Sequence, residues 1–199
     1  MQTFPYCLLT ERERRTFKKL TTPEKIQDFI NTFKPNYTDS VQSVKKSLAS
    51  RKIHCLDGAI LSAAALWSHG HKPLLLDLKT IKNDKDHVVA LFKKGVHWGA
   101  ISATSHSVLR YRDPIYKSLR ELALSYFHEY FLNSGKKTLR SFSEKPFALS
   151  TKNTGWINGS DNLYEIGAKL DGAKHASLFP KKLKLRNADP IERRASNIK

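Results

Sequence analysis

The chain has 199 residues, 40% of them hydrophobic and 10% aromatic, which suits one folded domain with a proper core and excludes a disordered chain. Its net charge of +17 is spread as +4 over residues 1–50, +5 over 51–135 and +8 over 136–199, whereas a nucleic-acid reader usually concentrates basic residues on one element. No stretch approaches the roughly 18 to 20 apolar residues of a membrane span, and Met1 to Leu9 lacks the pattern of a secretory signal, so a cytoplasmic protein is expected.

Residues 10–20 read as a charged stretch. Thr22-Pro23-Glu24 then supplies an N-cap, a first-turn proline and a first-turn acid for a helix that carries Ile26, Phe29, Ile30 and Phe33 and stops at Lys34-Pro35. A second helix is expected from Thr38 or Asp39, with Val41, Val44 and Leu48 on one face. The third, Cys55 to about Ser68, has a nearly bulk-free interior of Gly58, Ala59, Ser62, Ala63, Ala64 and Ala65, so it can approach a sheet closely and is expected at the centre. His69-Gly70-His71 ends it, and Leu74-Leu75-Leu76 reads as a short buried strand.

After a polar loop, His87-Val88-Val89-Ala90-Leu91-Phe92 reads as a strand, Lys93 to Val96 as a turn containing Gly95, and His97 to Ser102 as the return strand. Asp113-Pro114 is expected to open the longest helix, with Tyr116, Leu119, Ala123, Tyr126, Phe127 and Tyr130 at helical spacing up to Gly135. That spacing makes these aromatics core rather than a base-stacking platform. Trp156-Ile157 and Leu163 to Ile166 read as short anchored segments, and residues 181–199, with seven basic residues, as a mobile basic tail. The domain organisation expected is one domain over residues 1–180, its core at about 36–135, followed by that tail.

Cys7 and Cys55 are expected to be free thiols in a reducing compartment. Cys55 is the candidate nucleophile: unpaired N–H groups and the dipole at a helix start stabilise a thiolate, and those N–H groups can also serve an oxyanion. His87, at the start of an adjacent strand, could take the thiol proton and return it to a leaving group. The plain alternatives are a buried structural thiol and a strand-capping histidine. No metal is expected, because a helix over 55–68 would be about 20 Å long at ~1.5 Å per residue, separating His54 and Cys55 from His69 and His71. No cofactor is expected either.

A helix-borne Cys followed by a strand-borne His resembles the transglutaminase-like superfamily, which shares the papain-like fold of cysteine proteases. The resemblance spans His54 to Pro114. It is carried by His54-Cys55-Leu56-Asp57-Gly58-Ala59, by His87-Val88-Val89-Ala90-Leu91, and by Trp98-Gly99-Ala100-Ile101-Ser102, where the family's next strand often begins with a tryptophan. It implies an α+β fold in which a central Cys-bearing helix packs on a small antiparallel sheet with flanking helices. It also implies a Cys-His-Asp triad, with Cys55 as nucleophile and His87 as base. The family's acid commonly lies four residues after that tryptophan, where this chain has Ser102. Asp113 is the next acid and precedes a proline, as the family's Asp often does, so Asp113 and Ser102 are rivals for the third role, and Ser105 and His106, which lie between them, could also orient the imidazole. Asp113 before Pro114 is also a sufficient N-cap and N1 pair for a helix.

The function expected is a thiol-dependent acyl-transfer enzyme on an amide or peptide bond: a cysteine peptidase, amidase, deamidase or transglutaminase. The alternative is an inactive transglutaminase-like binding module that docks an acidic protein or nucleic acid.

Overall fold

The computed structural model describes residues 2–106, 108–159 and 162–196. In chain order it has α1 (Glu11–Lys19), α2 (Pro23–Asn31), β1 (Lys34–Pro35), α3 (Val44–Ser50), β2 (Lys52–Ile53), α4 (Cys55–Ser68), β3 (Leu74–Lys79), β4 (His87–Lys94) and β5 (His97–Ile101). There follow β6 (Arg112–Tyr116), α5 (Leu119–Phe127), β7 (Ser141–Ser143), β8 (Phe147–Ala148), α6 (Gly155–Asn158), α7 (Tyr164–Asp171), β9 (His175–Ser177) and α8 (Pro190–Ser196). The fold is mixed α+β. Its main sheet is antiparallel in the order β6-β5-β4-β3-β7-β9, with β8 also paired to β3, while β1 and β2 form a separate parallel pair.

Side chains alternate along the strands and divide the core in two. Leu75, Val88, Ala90, Phe92 and Ile101 face α4, which is covered in turn by side chains of α1, α2, α3 and α6. Leu76, Leu78, Val89, Leu91 and Ala100 face Leu122, Ala123, Tyr126 and Phe127 of α5. The α4 helix is buried from Leu56 to Trp67. Its small residues let it lie on β4, and a Cβ added to Gly58 would stand 2.2 Å from the Ala103 Cβ. This contact locks the first turn of α4 against the chain leaving β5. The β4–β5 hairpin closes through Gly95 at φ +60°, a left-handed conformation that suits glycine.

Several boundaries differ from the sequence reading. The charged stretch 10–20 is a helix, because Thr10 and Glu13 form a capping box at its start. The next-but-one helix begins at Val44, later than Thr38 or Asp39, since Ser43 supplies the N-cap. Asp113 and Pro114 open no helix: they lie in β6, an edge strand, where a residue lacking an N–H is tolerated. The helix that follows is capped by Ser118, ends at Phe127, and is shorter than α4. Within the stretch expected to be a mobile tail, α8 forms, and buried Ala188 donates its N–H to the Gly135 carbonyl at 2.8 Å.

Candidate active site

β4 begins and β5 ends at the same end of the sheet, and the first turn of α4 reaches that end through Gly58 and Ala103. A cavity of about 510 Å³ opens there, and both Cys55 and His87 line it. Cys55 is the first residue of α4 and half-buried. The helix start is built by an unusual cap. His54 Nδ1 accepts the N–H groups of Leu56 and Asp57 at 3.2 and 3.3 Å, while its Nε2 donates to the Ser40 carbonyl at 3.1 Å. Both nitrogens of His54 are thereby committed, which leaves it no lone pair for a neighbouring thiol.

Asp57 completes the cap from a fully buried position, accepting from the N–H groups of Gln42 at 2.7 Å and His54 at 3.1 Å. The N–H of Cys55 itself has no hydrogen-bond partner among the described residues. Burial pushes the Cys55 thiol above its ordinary range, and the nearby backbone N–H groups of Val88 and Leu56 pull it down less strongly.

His87 is the first residue of β4 and only 4% exposed. Its Nε2 lies 2.7 Å from Ser102 Oγ, and that hydroxyl donates to the Leu109 carbonyl at 2.7 Å. With its proton given to Leu109, Ser102 can only accept from the ring, so Nε2 carries the hydrogen and the neutral ring keeps its lone pair on Nδ1. Burial first, then the charges of His106 and Arg112, hold the imidazole down to about 4. The ring is bounded by Tyr126 and Tyr130 of the α5 side, at centroid distances of 6.4 and 6.5 Å. At neutral pH the site is therefore a neutral thiol and a neutral imidazole.

No protein-family model matches this chain, and no curated protein matches it either. The local geometry alone therefore weighs the candidates. Ser102 touches the imidazole, one residue beyond β5. Asp113 is exposed on β6 and makes no hydrogen bond to His87. No hydrogen bond joins Cys55 to His87 directly among the described residues. They share the lining of the cavity. Two carboxylates also line the cavity but are engaged elsewhere: Asp84 accepts from Thr138 Oγ1, and Asp86 from Lys79 Nζ and the Thr80 N–H.

His54 and His69 cap opposite ends of α4, and no group of three His, Cys, Asp or Glu side chains among the described residues is gathered to hold a metal ion. Nor is any helix among them long and apolar enough to cross a membrane.

The sequence reading missed three members of this site. Asp57 was detectable as the third residue of a capping box whose cap is a histidine. Gln27 was detectable as a polar residue on the inward side of α2, between Ile26 and Ile30. It is buried with them. The Leu109 carbonyl carries no sequence signal, since any residue could supply it.

Proposed function

We propose that this chain is a thiol-dependent acyl-transfer enzyme of transglutaminase-like, papain-like type, acting on an amide or peptide carbonyl. The observation that supports it is the pairing, in one cavity, of a helix-start thiol with a buried imidazole whose free lone pair is fixed on Nδ1. Cys55 Sγ attacks the carbonyl carbon as His87 Nδ1 takes the thiol proton, and the carbonyl electron pair moves onto its oxygen. The unpartnered N–H of Cys55, at the positive end of α4, faces that developing charge. Collapse breaks the C–N bond, the imidazolium returns its proton to the departing amine, and a thioester remains on Cys55. Water or a second amine then resolves it. Ser102 and the Leu109 carbonyl hold the ring in place of a carboxylate, and Nε2–H gives them something to hold throughout the cycle.

The test is acylation by p-nitrophenyl acetate followed by peptide mapping. The reading expects acetyl on Cys55, and a rate lower by about a hundredfold or more in His87→Gln. Acetyl confined to Cys7, or equal rates in both proteins, would overturn it. A second reading is favoured by the hydroxyl standing where the resemblance implies an acid: a binding module that docks an acidic protein or nucleic acid. That reading expects polyanion affinity that falls steeply with salt and no acyl-enzyme.

A further inference from the structure

We infer that Gln27 on α2 is a positioning residue for the His87 imidazole, acting through the backbone of Ser102. The inference deepens the proposal above and rests on Cys55 and His87 being the reacting pair. Ser102 lies past Ala100↔Arg112, the last pairing of β5 with β6. There the Gln27 amide grips it at two points. Oε1 accepts the Ser102 N–H at 2.9 Å, and Nε2 donates to the Ser102 carbonyl at 2.9 Å. The second Nε2 hydrogen goes to Asn31 Oδ1, also at 2.9 Å.

This arrangement admits only one amide orientation. A half-turn would set the NH2 against the Ser102 N–H and the oxygen against two acceptors. Gln27 is 5% exposed, and a buried amide is costly unless its bonds are made. Two-point attachment fixes both the place and the rotation of the backbone that carries the Ser102 hydroxyl. That hydroxyl has to meet Nε2 and the Leu109 carbonyl together, each at 2.7 Å. A neutral hydroxyl orients a ring less strongly than a carboxylate does. Alignment therefore depends on the backbone beneath it, and Gln27 supplies that rigidity from another element.

The experiment uses the full chain labelled with nitrogen-15. Long-range proton–nitrogen NMR at pH 7 reads which nitrogen of His87 carries hydrogen, and iodoacetamide alkylation, mapped to the Cys55 peptide, reads the thiol. Gln27→Met keeps the shape and removes the polar atoms. It is expected to spread the proton over both ring nitrogens and to slow Cys55 alkylation roughly two- to tenfold, the range for losing the single Ser102–His87 hydrogen bond that orients the ring. Combined with Ser102→Ala it should add nothing to the effect of Ser102→Ala alone. Gln27→Glu, which keeps the acceptor and loses the donor, reads the same point if the methionine variant does not fold.

A folded variant with a lowered melting temperature but an unchanged His87 ring and unchanged alkylation would overturn the inference, as would effects that add to those of Ser102→Ala. If alkylation ignores His87 in every protein, the reacting-pair reading falls, and the ring spectrum alone still decides what Gln27 does.

Discussion

Acidification should unfold this protein through His87. In the unfolded chain the imidazole takes its proton near the ordinary 6.5, whereas in the fold burial holds it down to about 4. Between those values the unfolded state binds more protons, so stability rises with pH and is lost as pH falls. The contribution is fully present above about pH 6.5 and is used up as pH drops through about 4. From pH 7.5 to 4.5 the loss works out at about 2.5 kcal/mol, taking 1.36 kcal/mol per unit of pKa difference. Urea unfolding followed by circular dichroism, at both pH values and fixed ionic strength, measures it. His87→Gln supplies the reference, because His71, also lowered by burial, and the carboxylates titrate alike in both proteins. The wild type should lose about 2.5 kcal/mol more than the variant. Equal losses would mean that the ring is solvated or charged in the fold, and the neutral-pair argument would fail.

Ser102→Asp would place a carboxylate against Nε2 and should raise the His87 pKa by roughly one to three units, read by imidazole NMR titration. The same change leaves the Leu109 carbonyl without its donor, at a cost of about 1 to 3 kcal/mol in urea unfolding. An unchanged His87 titration would contradict the contact between residue 102 and the ring. Gly58→Ala gains about 1 kcal/mol of helix propensity but drives a Cβ to 2.2 Å from Ala103, so a net loss in thermal unfolding is expected, from an overpacking cost of about 1 to 3 kcal/mol. A more stable Gly58→Ala protein would refute the close approach of α4 to the chain after β5. Asp57→Ala strands the N–H groups of Gln42 and His54 and should cost about 3 kcal/mol or more in urea unfolding. A loss under about 1 kcal/mol would show the cap to be dispensable.

Much of the frame was legible because it depends on local chemistry. Thr22-Pro23 announces α2, the run of small residues announces a helix that must lie on a sheet, and Gly95 announces the hairpin turn. The places of Cys55 and His87 in the fold were legible for the same reason, each being the first residue of its element. The strands β7, β8 and β9 were not, since two or three residues show no period to read. β6 was hidden by an Asp-Pro pair that serves an edge strand as well as a helix start. The grip of Gln27 on Ser102 crosses 75 positions of sequence, and only the packed fold brings those residues together.

The central claim is that Cys55 and His87 work as one unit, and thiol alkylation tests it most directly. Iodoacetamide labelling at pH 7, mapped by peptide, uses exposed Cys7 as an internal reference within the same molecule. The account predicts that His87→Gln slows labelling of Cys55 by about tenfold or more while Cys7 is unaffected, because the lost Nδ1 no longer takes the thiol proton. Equal Cys55 labelling in the two folded proteins would contradict it.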